Sequence, residues 1–230
     1  MALFGVDGVP VEIEADVGAG TVKTQLLGLP DAALHESKDR VRAAIRNSAH
    51  DWPSQRVTLG LSPAALPKGG AGYDLALASV VLAAAGTIPA DRLATTVLLG
   101  ELALDGRLRA VRGVLPSLLA ARRSGLLQAV VPVESLAEAS LVEGLTIHGA
   151  TSLTEVVTWL RGDDTALTPA PPPECPALPP SADLADVVGQ PEAGGHWRSP
   201  RRAPTTCSSA ARPAPARPCS PNASAASCHP

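Results

Sequence analysis

Between Val9 and Val17 apolar and acidic residues alternate, with Val9, Val11, Ile13, Ala15 and Val17 set against Glu12, Glu14 and Asp16. A period of two puts every apolar side chain on one face of an extended chain, so the pattern predicts a half-buried strand. A second strand is expected from about Val22 to Leu27. The period then lengthens. After Gly28, Leu29 and Pro30, Asp31 stands where a helix N-cap belongs, and Leu34, Val41, Ala44 and Ile45 share one face of a helix reaching about Asn47, whose other face is charged. Arg56 to Leu61 reads as a strand, and LPKGGAGYD (66–74) as a glycine loop feeding an apolar helix, Leu75 to Ala85.

Further on, Thr96 to Glu101 and Leu108 to Val111 are expected strands flanking Asp105-Gly106, a hairpin pair because glycine accepts the positive φ such a turn needs. Val114 to Arg123 is helical by period, Ala129 to Val131 a strand, Glu134 to Val142 a helix, Leu145 to His148 a strand and Leu153 to Arg161 a closing helix. These elements make one α+β domain over 1–161. From Gly162 to Ala182 the chain is proline-rich (PAPPPECPALPP), the composition of an extended linker. DLADVVGQPEA (183–193) follows, and then hydrophobic periodicity vanishes from Gly194 to Pro230, a composition that on its own describes a disordered tail.

Composition narrows the picture in three ways. Aromatics are 2% of a chain that is 45% hydrophobic, so Ala, Val, Leu and Ile must fill the core. The net charge of −3 gives no global attraction to nucleic acid or an anionic membrane, so such a contact would be local. No run of about 18 uncharged apolar residues occurs and the N-terminus lacks a basic region before an apolar stretch, which predicts a cytoplasmic protein without a membrane partner. Cys175, Cys207, Cys219 and Cys228 form no CxxC pair, and His35, His50, His148, His196 and His229 show no ligand spacing. No metal, cofactor or catalytic residue is therefore expected in this chain.

Four blocks in order, GLPDAALHESKDRVRAAIRNS (28–48), LPKGGAGYDLALA (66–78), LLGELALDGRLRAVRGVLPSLLAAR (98–122) and DLADVVGQ (183–190), resemble the magnesium-chelatase-like AAA+ ATPases of the YifB/ComM type. The resemblance covers residues 1 to about 193. It implies a bacterial protein whose N-terminal domain has a Lon-protease-like, ribosomal-protein-type two-layer α+β fold with a mixed sheet and packed helices. It also implies that DLADVVGQ opens an AAA+ module. Intact relatives would be ring-forming motors using ATP and magnesium and acting on DNA in natural transformation.

Such a module continues through an apolar strand into a GxxxxGK[ST] loop, whose amides and lysine hold ATP phosphates. The 230 residues contain no such loop. Back-translation of the tail one base out of register locates it: Ala211 to Pro218 can encode Gly-Pro-Pro-Gly-Ala-Gly-Lys-Thr, Thr205 to Ser209 an apolar lead-in strand, and Gly194-Gly195 a pair of arginines. A frameshift near Gly194 is therefore expected, leaving 183–193 as the start of a truncated module and 194–230 as an out-of-frame tail. If the shift is programmed or is an error of sequencing, the cellular product is the whole ATPase.

LPKGGAGYDLALA and GRLRAVRGVLPSLLAA also resemble the two segments that carry the serine and lysine of Lon-type proteases. The alignment puts Gly72 at the serine position and Leu115 at the lysine position, and neither can act as nucleophile or base. Three further features carry expectations. Lys68 with Gly69, Gly70 and Gly72 before a helix is a candidate anion loop, or else a glycine turn that lets the helix pack, with Asp74 against its first turn. Lys38, Arg42 and Arg46, spaced by four with Arg40 nearby, form a candidate DNA or partner strip diluted by Glu36 and Asp39. Arg107, Arg109 and Arg112 around the hairpin are a second candidate of the same kind.

Overall fold

The computed structural model describes residues 1–5 and 7–172. Its first sheet joins β3 (Glu12–Gly18), β5 (Arg56–Ser62) and β4 (Thr24–Leu27) in the order β3-β5-β4, antiparallel and then parallel. Register follows from the alternation. Ala15 and Leu26 both pair with Leu59, which keeps Val57, Leu59 and Leu61 buried while Glu12, Glu14 and Asp16 face outward. A slip of one residue would bury three carboxylates, so the pattern admits one pairing.

Helix α1 (Ala32–Asn47) begins where expected: Asp31 Oδ1 accepts from Leu34 N at 2.7 Å, and Leu34, Val41, Ala44 and Ile45 are all buried. Helix α2 (Asp74–Ala84) is apolar on nearly every side and lies between α1 and β3, the setting that such a sequence requires.

The second sheet sets β6 (Thr96–Leu98), β9 (Gln128–Pro132) and β10 (Thr146–Ala150) parallel, with β11 (Thr168–Pro169) antiparallel at the edge beside β10. Both faces are covered. Val97, Ala129, Val131 and Ile147 meet α3 (Val114–Arg123) and α4 (Leu136–Ala139), while Leu98, Val130 and Ala150 meet α2 and α5 (Leu153–Leu160). The short apolar runs of these strands fit burial on two sides. The fold is α+β with mixed sheets and packed helices, as expected.

Several elements differ from the sequence expectation, each for a local reason. Thr96 to Glu101 is not one strand: Gly100, at φ 159, donates from its amide to Gly72 O (3.2 Å) and accepts from Leu75 N (3.2 Å). That exchange ties it to the start of α2, and the chain resumes as β7 (Glu101–Leu102), paired with β8 (Leu108–Arg109) in a separate hairpin. The hairpin loop is closed by Ala103 N to Arg107 O and Gly106 N to Ala103 O, both 2.9 Å, with Gly106 at φ 88. The helix expected over 134–142 is a 3-10 turn over Val133–Ser135 followed by the single turn α4.

A hairpin of β1 (Ala2–Phe4) and β2 (Asp7–Val9) precedes the alternating strand and packs on α3. Close approach governs this contact: a Cβ on Gly8 would stand 2.7 Å from that of Ala120. The stretch read as linker from Gly162 gives its first residues to the domain, for Leu167 is buried, β11 pairs with β10, and Ala170 N donates to Ile147 O at 3.0 Å. Pro169 lies in an edge strand, where a missing N–H is tolerated. Residues 173–182 of the proline-rich stretch, DLADVVGQ, the four cysteines and the tail lie outside the described residues.

Candidate functional site

Two loops interlock above the first sheet. In Gly28-Leu29-Pro30-Asp31, Gly28 sits at φ 106 with Leu61 O where a Cβ would be, so that backbone path admits glycine alone. Lys68, in the partner loop Pro67–Gly70, clamps it from both main-chain sides, receiving Asp31 N on its carbonyl (2.9 Å) and donating its own amide to Leu29 O (3.3 Å). Its side chain completes the clamp. Lys68 Nζ donates to the carbonyls of Gly28 (2.8 Å), Pro63 (2.5 Å) and Leu66 (2.8 Å), and the residue is 1% exposed. Burial lowers its pKa.

The candidate anion loop is therefore corrected at its main residue, because an ammonium holding three carbonyls of its own fold is not free to meet a ligand. The glycine loop does receive a carboxylate, but it is that of Asp31, whose Oδ2 accepts from Gly70 N at 3.2 Å. Gly69 must lack a side chain for this, since a Cβ there would overlap Asp31 Oδ2.

Asp74 opens α2, but its carboxylate is bound from α1 and β7 rather than by the amides of that first turn. It is fully buried and takes Arg40 on both oxygens, Nε at 3.0 Å and a terminal nitrogen at 3.3 Å, with Leu102 N at 3.3 Å on Oδ2. Arg40 also donates to Ser37 Oγ at 2.7 Å. Burial pushes the Asp74 carboxyl above its ordinary range, opposed by Arg40, Ser37 and the Leu102 amide. The sequence carried half of this signal: Asp74 is the single charge on an apolar helix, and a buried charge needs a partner. Which of the many arginines would supply it was not visible.

Beyond the clamp a groove of about 600 Å³ opens between the glycine loop and the segment after β8, with Gly72, Leu99, Glu101, Val111, Arg112 and Ser117 among its walls. A Cβ on Gly72 would come no nearer than 3.9 Å to Val111, so the position has room for a side chain and holds none. Leu115 lies at the start of α3, its amide donating to Glu138 Oε1 at 3.0 Å. Tyr73, whose hydroxyl donates to Met1 O at 2.9 Å, has its pKa pushed up to about 12 by burial and Asp31, so it stays protonated at neutral pH. No serine and lysine stand at the two aligned positions.

The basic candidates do not converge. On a helix of 3.6 residues per turn, Lys38, Arg42 and Arg46 climb one flank of α1, while Arg40 turns inward to Asp74. The opposite flank meets the β7–β8 hairpin, where Asn47 Nδ2 donates to Leu104 O at 2.7 Å, and Glu36 and Asp39 lie on the crest between. Arg107 is exposed and bound to its neighbour Asp105 at 2.7 Å. With Arg109 it borders a second hollow of about 400 Å³ at the carboxyl ends of β9 and β10, shared with Glu134 and Thr151. Arg112 faces the groove instead. Among the described residues no group of His, Cys, Asp or Glu could hold a metal ion, and no helix is long and apolar enough to cross a membrane.

A family model described as subunit ChlI of Mg-chelatase matches residues 13–135, more than half of the chain. The chain belongs to this magnesium-chelatase-like family. Within it the likeness is to the YifB/ComM type, as the motif blocks imply. An uncharacterized protein of Mycobacterium tuberculosis strain H37Rv is 53% identical over 198 residues, 84% of this chain and 38% of its own length. YifB of Escherichia coli is 36% identical over 204 residues (85% and 40%), and competence protein ComM of Haemophilus influenzae 38% over 163 residues (71% and 32%). More distantly, Lon protease 2 of Bacillus subtilis is 25% identical over 174 residues, 68% of this chain and 31% of its own. The magnesium-chelatase-like chain described here spans about two fifths of the length of the YifB-type relatives it matches.

Proposed function

We propose that this chain is the N-terminal, Lon-like accessory domain of a YifB/ComM-type protein, separated from its ATPase module by a frameshift near Gly194, and that it neither hydrolyses ATP nor cleaves peptides. The observation that carries the reading is the absence of any GxxxxGK[ST] sequence in the 230 residues, and it is supported by residues 211–218, whose codons can encode such a loop when read one base out of register. The matched share of 84% in the mycobacterial relative is the length that residues 1–193 would account for. Gly72 and Leu115 at the Lon serine and lysine positions support the absence of peptidase chemistry. ATP, magnesium, assembly into a ring and work on DNA belong, in this reading, to the module that is missing.

Sequencing the coding DNA across codon 194 tests the proposal, with a displaced P-loop frame expected. Purified chain is expected to show no ATP turnover above a protein-free blank. A native product more than twice as long as this chain would instead mean that the cell makes the whole ATPase.

A second reading is a DNA or partner contact through Lys38, Arg42 and Arg46. It is favoured by the placement of all three on one flank of α1, opposite the flank that meets the β7–β8 hairpin. Duplex DNA titrated against the chain should then bind in a salt-sensitive way, and charge reversal at Lys38 and Arg46 should weaken binding by about tenfold or more and flatten its salt slope. Equal binding by the reversed variant assigns the flank of α1 to solvent.

A further inference from the structure

The first sheet has two faces, and only one of them is covered. Val57, Leu59 and Leu61 point into the core that α1 and α2 complete, and the alternate residues point the other way. On that outer side the registers align Glu14, Gly60 and Leu27 in one row across β3, β5 and β4, and Asp16, Thr58 and Gln25 in the next. Glu12, Glu14, Asp16, Gln25 and Leu27 are exposed, so no described element packs there. The middle of the face is nearly bare. Gly60 lies outside the left-handed region, and a Cβ on it would meet nothing nearer than Glu14 Oε2 at 4.0 Å. Neither backbone path nor internal packing calls for glycine at this point, unlike Gly8, Gly28 and Gly69. Glycine weakens a strand interior, and one that the fold does not need marks a place where another chain comes close.

Shape and charge select the occupant. β3 and β4 stand two strand spacings apart, about 10 Å, which is the diameter of a helix. The wall on β3 is acidic and the wall on β4 apolar at Leu27, and none of Glu12, Glu14 and Asp16 is ion-paired among the described residues. Arg56 shares the Gly18 end with Asp16, which leaves Glu12 and Glu14 as the dominant charges. The chain itself carries a matching element. Lys38, Arg42 and Arg46 span about 12 Å along α1, and the three carboxylates span about 13 Å along β3. A helix seated with this stripe toward β3 sets its neighbouring crest, with Ala43 between Glu36 and Asp39, over Gly60 and toward β4, away from the carboxylates. Because α1 already packs on the inner side of its own sheet, that helix must come from another molecule. We infer that the open face of the first sheet is an interface between copies of this chain, receiving the Lys38–Arg46 flank of α1 from a second copy over Gly60. The inference names the partner in the second reading of that flank and rests on the flank being a contact; it needs neither the frameshift nor the missing module.

Sedimentation velocity of the full 230-residue chain tests it. The weight-average sedimentation coefficient is expected to rise with protein concentration at low salt, and about 0.5 M NaCl should remove most of the rise, since exposed charges carry the contact. Glu12→Lys combined with Glu14→Lys should weaken association by about tenfold or more, and so should Lys38→Glu combined with Arg46→Glu. Mixing the two reversed chains should restore it, because each then offers a surface complementary to the other, a rescue that a folding defect would not show. Gly60→Val should also weaken association by about tenfold, while its thermal midpoint stays at or above that of the parent, since a β-branched residue suits a strand interior. The assignment is overturned if the parent stays monomeric at every concentration, if either reversed chain associates like the parent, if mixing restores nothing, or if Gly60→Val unfolds earlier or associates as tightly as the parent. Duplex DNA titrated against the Lys38→Glu, Arg46→Glu chain is read separately: weakened DNA binding with association intact removes the second copy from this flank and leaves the DNA contact standing.

Discussion

Lys68→Met is expected to unfold at a midpoint roughly 10 °C below the parent chain, a loss of about 3 kcal/mol in a domain of this size. The change keeps length and apolar volume but removes three charge-assisted hydrogen bonds, leaving the carbonyls of Gly28, Pro63 and Leu66 facing a thioether. Hydrogen bonds to a charged donor contribute about 1.5–3 kcal/mol each, and a buried acceptor left without a donor costs about 1–3 kcal/mol. Against that stands the recovered cost of keeping an ammonium out of water, which is why the expected net loss is nearer one such term than the sum of three. The clamp also holds a strained path, with Leu29 at φ 58 beside Gly28 at φ 106, so loosening it should raise amide exchange first in residues 28–31 and 66–70. Thermal denaturation followed by circular dichroism, with exchange measured on the same protein, checks both parts. An unchanged midpoint would show that Lys68 merely covers the loop.

The second large effect is expected at the Arg40–Asp74 pair. Arg40→Met should cost about 3 kcal/mol at neutral pH, since it leaves a fully buried carboxylate with only Ser37 and the Leu102 amide for support. Its pH dependence identifies the cause. Asp74 already has its pKa raised by burial, and losing Arg40 raises it further. In the interval between the unfolded value of about 3.9 and that raised value, the folded chain holds a proton which the unfolded chain has released. Stability from this group is thus present below the lower limit and is lost as pH rises through the upper one. The deficit of Arg40→Met relative to the parent should shrink when unfolding is measured at progressively more acid pH. Asp74→Asn, which carries no charge at any pH, should show no such trend from this position. A double-mutant cycle between the two sites should give a coupling well above that of an exposed pair, for which about 0.2–1 kcal/mol is usual. Coupling in that lower range would mean the guanidinium finds water at its partly exposed edge.

The helix from Ala32 to Asn47 was legible because cap, period and length agreed: Asp31 precedes it, and every residue assigned to the apolar face is buried. The alternating strand after Val11 was legible for the same reason. Gly100 was not, since Leu98, Leu99, Glu101 and Leu102 around it read as one continuing strand and a change of sheet leaves no mark on hydrophobicity. At the candidate site, sequence spacing found the glycine loop and the two positions aligned with Lon's serine and lysine. It misdirected Lys68, whose three acceptors come from residues 2, 5 and 40 positions away.

By itself the sequence determined most of the longer helices and strands and the faces they bury, the family, and the absence of a phosphate-binding loop, because all of these depend on local period, composition or contiguous motif. Only the tertiary structure decided where the charges go. Arg40 and Arg42 lie two residues apart on one helix, yet one reaches inward to a carboxylate on α2 while the other climbs the opposite flank. A charged side chain is committed by what packs against it, and those neighbours come from distant parts of the chain. The same reason hid the groove: Gly72, Leu99, Glu101, Val111, Arg112 and Ser117 meet in its walls only once α2, the hairpin and α3 have packed.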